Sequence, residues 1–197
     1  MIEVFNIKKG LFFGILDLEA YAAKTGLSSK RDIETRGKHY LIAQLLDNDA
    51  ARIIYDAKGK PHLEGDPRHI SLSHSHHKLA IIVNDHEPTG IDIELIRDKV
   101  LRIRHKFLSP AELAEAADDV EKLLIYWAAK ESLYKIYGLK EVDFVANLFV
   151  KPFVKHHLGT ITGIIELPAF KKAFELNYQS LDDYILVYAL SEIRVAE

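Results

Sequence analysis

Two kinds of apolar spacing divide the first half of the chain into strands and helices. Alternating apolar and polar residues predict a strand at 2–7, and short runs bounded by turn residues predict strands at 69–73, 79–84 and 89–95. Residues 16–24 predict a short helix that ends at Gly26. From Arg31 to Leu46 apolar residues recur every three or four positions, which predicts an amphipathic helix. Its core-facing residues would be Ile33, Tyr40, Leu41 and Leu45.

The second half of the chain begins with helix signals and ends in strands. Ser109, Pro110 and Glu112 have the form of a capping box, which predicts the start of a helix. A longer helix is predicted from about Val120 to Tyr137, and the following glycine would end it. Strands are predicted for the apolar stretches at 147–154, 160–167, 174–179 and 183–190.

The order of these elements predicts an α+β fold of two halves, residues 1–88 and 89–197. Each half combines helices with several strands, and a chain of 197 residues can bury a substantial core. The strands come in runs rather than in strict alternation with helices. This order argues against a doubly wound parallel sheet.

Charge is uneven along the chain. The formal net charge of -3 makes a large, purely electrostatic nucleic-acid surface unexpected. The segment Arg97–Lys106, here called the basic segment, holds five Lys or Arg residues and His105 against one acid, Asp98. A solvated surface is the common interpretation of such a run. A docking face for an acidic macromolecule is the alternative.

The absence of cysteine excludes disulfides, thiolate catalysis and Cys-ligated zinc. Apolar stretches near the N-terminus are interrupted by charged residues and lack the unbroken apolar core of a signal peptide or a membrane span. We therefore expect a soluble, cytoplasmic protein without a membrane partner.

Two stretches carry acidic residues that could take part in chemistry. In GIDIE, residues 90–94, Asp92 and Glu94 would share one face of a strand, roughly 6.5–7 Å apart. One hydrated hard cation can bridge that span, although a polar, solvated strand face shows the same alternation.

In YWAAKESLYK, residues 126–135, Glu131 falls on an apolar stripe of the helix and needs a partner there. That partner is either a metal ion or Lys135, one turn later. The stripe consists of Val120, Leu124, Trp127 and Tyr134.

A third stretch, SLSHSHH at residues 71–77, holds three histidines in four positions. Zinc bound by these histidines is the weaker hypothesis, because neither an HExxH motif nor a cysteine accompanies them. Ser73 and His74, at a predicted strand end, could instead donate hydrogen bonds to a phosphate. Lys60 could do the same from its glycine turn. The other two histidines are expected on the surface.

The order of these motifs resembles the 4′-phosphopantetheinyl transferase superfamily, specifically the Sfp-like type with two halves in one chain. GKP, SLSHS, GIDIE, FLSPAE and WAAKESLYK follow one another as in that family. Asp92 and Glu131 lie 39 positions apart, and every residue of the family signature is present. The resemblance covers about residues 36–138.

The resemblance implies a pseudo-dimer of two similar α+β halves with the active site in the cleft between them. It implies that Asp92, Glu94 and Glu131 bind Mg²⁺. Glu131 and Lys135 would be catalytic, the first as a general base that acts directly or through a metal-bound water, and the second by neutralising phosphate charge. The residues implied to bind coenzyme A are Arg36, Lys60, Ser73, His74 and Lys135.

The implied reaction transfers 4′-phosphopantetheine from coenzyme A to a serine of an acyl or peptidyl carrier protein and releases 3′,5′-ADP. Carrier proteins are typically acidic helical bundles, so the basic segment would dock them. This implies a monomeric transferase of the holo-acyl-carrier-protein synthase type, serving fatty-acid, polyketide or nonribosomal peptide synthesis. The alternatives are a non-catalytic homologue that binds coenzyme A and carrier, and a magnesium-dependent nucleotide hydrolase.

Overall fold

The computed structural model describes residues 1–139 and 141–194. The chain divides into two compact units, Met1–Thr89 and Gly90–Glu197, and the last three residues of the second unit lie outside the described ranges. Both units mix helices with antiparallel strands, so the fold is a mixed α and β fold, with five α-helices in the described residues. None of the helices within these ranges is long and apolar enough to cross a membrane.

The first unit is built on a four-stranded antiparallel sheet. Its elements are β1 (Ile2–Lys8), β2 (Leu11–Asp17), α1 (Leu18–Thr25), α2 (Lys30–Leu46), β3 (Ile53–Tyr55), β4 (Pro61–Leu63), β5 (His69–Ser75) and β6 (Lys78–Asn84). The strand order in the sheet is β1-β2-β6-β5, while β3 and β4 pair separately. His76 and His77 form the turn between β5 and β6, and both are exposed as predicted.

Helix α2 covers one face of this sheet. Its first turn is capped by Ser29, whose side chain accepts a hydrogen bond from the backbone of Asp32. Leu41 and Ile42 of α2 are fully buried in the core. A Cβ at Gly37 would lie 2.9 Å from Leu18 Cδ2, so the glycine inside this helix permits close packing. Ile33, Tyr40 and Leu45 of the predicted core face are partly buried and pack against the same core.

The second unit is a five-stranded antiparallel sheet with a long helix packed on it. Its elements are β7 (Ile91–Leu95), α3 (Lys99–Ile103), a 3₁₀ turn (Arg104–Lys106), α4 (Pro110–Ala116), α5 (Val120–Tyr137), β8 (Leu148–Val150), β9 (Leu158–Leu167), β10 (Phe170–Leu181) and β11 (Tyr184–Ile193). The strand order is β7-β11-β10-β9-β8. Helix α5 contacts four of these strands: β7, β8, β9 and β11.

Burial extends around most of the circumference of α5. Side chains that point in directions as different as those of Leu123, Ile125 and Ala128 have no exposed surface. The apolar stripe predicted from the sequence is therefore the less buried part of the helix. Of its four members only Leu124 is buried, and the others are partly exposed.

Several elements differ from the sequence predictions, among them β3 and β4, which were not predicted. Strand β2 was not predicted either, because a continuous apolar run fits a buried helix as well as a buried strand, and its last two residues were assigned to the helix at 16–24. The basic segment contains α3, where no helix was predicted. The predicted strand at 147–154 is only β8, since Pro152 has no backbone N–H to continue the ladder.

Candidate active site

Strand β7 carries two of the predicted carboxylates at one end of the sheet. Asp92 lies opposite Val187 of β11, and Glu94 lies opposite Ile185. Ile91 and Ile93 are buried on the opposite face of the strand, as alternation predicts. Asp92 is also buried, with 3% of its surface exposed. Its face of the strand is therefore covered rather than solvated.

Helix α5 lies directly against the start of β7, and Gly90 makes this approach possible. A Cβ at Gly90 would lie 2.1 Å from the backbone oxygen of Ser132 in the middle of α5. The Ser132 hydroxyl is buried and donates a hydrogen bond to the Val187 backbone oxygen, 3.2 Å away. The glycine of the GIDIE motif thus fixes the distance between the carboxylate strand and the signature helix.

We expect Gly90→Ala to lower the free energy of unfolding of the second unit by about 2–3 kcal/mol, because backbone atoms must move to make room. Urea unfolding followed by tryptophan fluorescence measures this, since Trp127 is the single tryptophan of the chain. Gly26→Ala is unsuitable as a control because Gly26 has a positive φ. Ala128→Gly in α5 tests simple backbone flexibility instead, and a loss as large as that of Gly90→Ala would contradict the steric explanation.

Lys135 of α5 reaches back to β7. Its Nζ lies 2.6 Å from Asp92 Oδ1 and donates a second hydrogen bond to the Ile91 backbone oxygen at 2.8 Å. The ion pair is largely shielded, because only 4% of the Asp92 side chain and 23% of the Lys135 side chain are exposed. The lysine one turn after Glu131 is therefore bound to a carboxylate 43 positions earlier in the chain.

Trp127 of α5 binds the second carboxylate of β7. Its indole Nε1 donates a hydrogen bond to Glu94 Oε1 at 2.8 Å. The indole ring packs edge-on against Phe107, with centroids 5.0 Å apart, and stacks on Phe144 at 5.6 Å. These two contacts fix the plane of the ring and hence the direction of its N–H.

Glu131 lies one turn from both Trp127 and Lys135 on α5. Burial, followed by the negative charge of Asp92 and then that of Glu94, raises the pKa of its carboxyl group to about 7 against the opposing effect of Lys135. The structure thus brings Asp92, Glu94, Glu131 and Lys135 within electrostatic reach of one another. All four were predicted site residues.

The raised pKa predicts how stability depends on pH. Below its ordinary pKa Glu131 is neutral in both the folded and unfolded states, whereas above about 7 the folded state must hold a charge that burial disfavours. Replacing Glu131 by Gln removes that cost. Glu131→Gln should therefore raise the free energy of unfolding at pH 8 by about 1–2 kcal/mol, discounted for partial exposure, and change it little at pH 4.

Urea titrations in EDTA at both pH values, followed by far-UV circular dichroism, measure this difference. Glu64→Gln is the matched control, because Glu64 is exposed in the first unit. A stability gain for Glu131→Gln that is equal at pH 4 and pH 8 would refute a buried ionisation at this position.

The carboxylates suit a magnesium ion chemically. Within residues 1–139 and 141–194, no three histidine or acidic side chains are already grouped as ligands of one metal ion. Asp92 is bound to Lys135, and Glu94 is bound to Trp127. The donor set nevertheless consists only of anionic oxygens, which Mg²⁺ prefers. Asp92 and Glu94 raise the pKa of Glu131 through their negative charge, and a divalent cation would oppose that effect. The residues fit the ion, provided that Lys135 releases Asp92.

Lys130 is a structural residue that the sequence motif did not explain. Its Nζ is fully buried and donates to Glu112 Oε2 and the Phe107 oxygen at 2.7 Å, and to the Phe144 oxygen at 2.9 Å. Glu112 also completes the predicted capping box with Ser109. Its other oxygen accepts from the Val150 backbone at 3.0 Å. The signature lysine therefore joins α5 to α4 and to the sheet.

The predicted coenzyme-binding residues of the first unit lie on different elements: Arg36 on α2, Lys60 in the turn before β4, and Ser73 and His74 on β5. Lys60 is partly buried, which lowers its pKa against the opposing charge of Asp56. It lies near the start of β5, because its charge adds to the effect of burial in lowering the pKa of His69. Arg36 is exposed on α2.

Ser73 and His74 differ from the prediction in one respect. Strand β5 continues to Ser75, so the two residues lie within the strand and on opposite faces of the sheet. His74 is on the face covered by α2, where its Nε2 lies 3.4 Å from Glu34 Oε1. The two side chains therefore cannot easily bind one phosphate together, as they could at the end of a strand.

The comparison with protein families identifies the superfamily to which the chain belongs. The model of the 4′-phosphopantetheinyl transferase superfamily matches residues 88–189, more than half of the chain. The chain belongs to the 4′-phosphopantetheinyl transferase superfamily. No curated protein matched the chain. The match includes β7 and α5, and with them the carboxylates and lysine of the site.

Membership in the superfamily supports a general role in phosphopantetheine transfer. Beside the carboxylates of this transferase the structure has a small cavity of about 190 Å³, lined by Glu94, Trp127 and apolar residues of α3 and α5. Two residues of the basic segment, Arg97 and Lys99, lie at the same cavity. The basic segment is thus adjacent to the carboxylate end of β7.

Proposed function

We propose that this protein transfers the 4′-phosphopantetheine group of coenzyme A to a serine hydroxyl of an acyl or peptidyl carrier protein. The observation that carries the proposal is the grouping of three carboxylates with Lys135 in the stretch that matches the superfamily. Such a set suits chemistry on a diphosphate, because carboxylates can hold a divalent cation while a lysine binds phosphate oxygens.

In the proposed reaction the serine oxygen attacks the β-phosphorus of coenzyme A. The bond from that phosphorus to the bridging oxygen breaks, and 3′,5′-ADP leaves with the electron pair. Glu131 takes the serine proton, either directly or through a water molecule. Lys135 exchanges Asp92 for phosphate oxygens and so offsets their charge.

Asp92, Glu94 and Glu131 are the residues that would hold Mg²⁺ in this proposal. The ion, when bound, supplies stabilisation of negative charge on the diphosphate. The exchange of Lys135 between Asp92 and phosphate frees an oxygen of Asp92 at the stage when the ion is needed.

The remaining parts of the proposal concern binding and classification. We propose that Arg36, Lys60, Ser73 and His74 contribute to holding the nucleotide, with the last two acting on different groups of it because they lie on opposite faces of β5. The basic segment would dock an acidic carrier. The Sfp-like type, its pseudo-dimeric arrangement with a site in the cleft, the holo-acyl-carrier-protein synthase activity, a monomeric state and a cytoplasmic location stay predictions.

Chromatographic measurement of 3′,5′-ADP tests the proposal. The protein is incubated with coenzyme A, Mg²⁺ and apo carrier proteins of the acyl and peptidyl kinds. We expect 3′,5′-ADP to form only with a carrier that keeps its acceptor serine, and to stop forming in EDTA. Product formed without any carrier would instead favour a hydrolase. Coenzyme A binding in calorimetry without product on any carrier would favour the non-catalytic homologue.

A further inference from the structure

The hydrogen bond from Trp127 to Glu94 has a property that packing alone would not require. The indole N–H is a donor only, and it contacts one oxygen of the carboxylate at 2.8 Å. A phenylalanine would fill much of the same space between Phe107 and Phe144 but would leave Glu94 without this donor. A tryptophan at this position, unlike a phenylalanine, can therefore orient the Glu94 carboxylate.

Glu94 needs such a constraint more than Asp92 does. Asp92 has a short side chain, is buried and is bound by Lys135. Glu94 has one more rotatable bond, is partly exposed near the end of β7 and lies at the cavity described above. Without a fixed partner its carboxylate would populate several rotamers, and binding a ligand would then cost the entropy of fixing one of them.

The neighbours of Trp127 hold the donor in place from both sides. Phe107 is buried at the start of the loop before α4, and Phe144 lies in the loop after α5. Lys130, three residues after Trp127 on α5, donates hydrogen bonds to the backbone oxygens of these same two residues. The ring that orients Glu94 is thus itself fixed by a buried ion-pair network.

We propose that Trp127 is a positioning residue, whose indole N–H holds the Glu94 carboxylate in the orientation in which it binds the metal ion. This inference rests on the proposed function, because it takes Glu94 to be a metal ligand. Residues that orient a ligand commonly change metal affinity by about 10-fold to 100-fold when replaced. Trp127 therefore sets metal affinity without contacting the substrate.

The test measures metal affinity rather than transfer. Mn²⁺ is used as the probe in place of Mg²⁺, and free Mn²⁺ is measured by electron paramagnetic resonance in the presence of coenzyme A and without carrier. We expect Trp127→Phe to weaken Mn²⁺ binding about 10-fold relative to the unmodified protein. Circular dichroism and urea unfolding establish that the variant is folded.

Two further variants separate positioning from packing. Tyr137→Leu removes an edge-on aromatic contact of α5 with Phe170 but leaves Trp127 and the rings around it unchanged, so its Mn²⁺ affinity should stay within about 2-fold of the unmodified protein. In a Glu94→Gln background, Trp127→Phe should cause no additional loss, because its effect passes through the Glu94 carboxylate.

The outcomes distinguish the inference from the function on which it rests. If the unmodified protein binds Mn²⁺ and Trp127→Phe binds it equally well, the positioning role is wrong and the metal site stands. An equal loss in Tyr137→Leu, or an additional loss in the Glu94→Gln background, would likewise assign the effect to packing. If the unmodified protein binds no Mn²⁺ with coenzyme A present, the proposed metal site fails and the role of Trp127 fails with it.

Discussion

Asp92→Asn is expected to reduce phosphopantetheine transfer by about 100-fold to 1,000-fold while leaving the fold intact. The amide keeps the shape of the side chain and can still accept a hydrogen bond from Lys135, which lies 2.6 Å from Asp92 Oδ1. It removes the negative charge that both a metal ion and the resting lysine use. Because Asp92 is buried beside α5, no other side chain can easily take over its position.

Transfer rates measured with saturating coenzyme A and carrier give the size of this effect. Asp49→Asn, in an exposed loop of the first unit, is the control for the same chemical change. Circular dichroism of both variants should match that of the unmodified protein. If Asp92→Asn remained active with an unchanged spectrum, the assignment of Asp92 to the catalytic centre would be wrong.

Lys130→Met is expected to lower the free energy of unfolding of the second unit by about 3–5 kcal/mol. Lys130 is fully buried and forms an ion pair with Glu112, of which only 6% of the side chain is exposed. Methionine has a similar length but leaves Glu112 charged without its cation. It also removes the donor from the backbone oxygens of Phe107 and Phe144.

The double variant Lys130→Met with Glu112→Gln identifies the cause of this loss. Neutralising Glu112 should restore part of the stability, because the buried unpaired charge is the largest cost. Urea unfolding followed by Trp127 fluorescence reports on the second unit, which contains this residue. A loss for Lys130→Met below about 1 kcal/mol would mean that the network contributes little.

The local features of the fold were predictable because each depends on neighbouring residues. Helix α5 has the predicted bounds, since its apolar spacing and the terminal glycine are both local signals. The capping box at Ser109 and Glu112 is present as predicted. Strand β2 was not predicted, because a continuous apolar run does not distinguish a buried strand from a buried helix, and its last two residues were assigned to the helix at 16–24.

The partners of the site residues could not be predicted in the same way. Glu131 was expected to pair with a metal ion or with Lys135, but the bond from Lys135 to Asp92 joins residues 43 positions apart. The contact of Trp127 with Glu94 spans 33 positions. Such pairs depend on how α5 lies across the sheet, and that in turn depends on the close approach at Gly90.

In the first unit, an error in the predicted end of one strand changed the expected arrangement of two coenzyme-binding residues. Ser73 and His74 are adjacent in sequence, and a strand ending at Ser73 would have allowed both to bind one phosphate. Because β5 continues for two more residues, strand geometry sends their side chains to opposite faces. The residue types indicate what the motif could bind, but they do not indicate on which face of the sheet each side chain lies.

Intact-mass spectrometry of an apo acyl carrier protein, incubated with this protein, coenzyme A and Mg²⁺, tests the central claim most directly. We expect the carrier to gain the mass of one phosphopantetheine, and the gain to be lost in EDTA and with a carrier whose acceptor serine is replaced by alanine. An unchanged mass for acyl and peptidyl carriers alike, with coenzyme A binding demonstrated in the same samples, would contradict the transferase function.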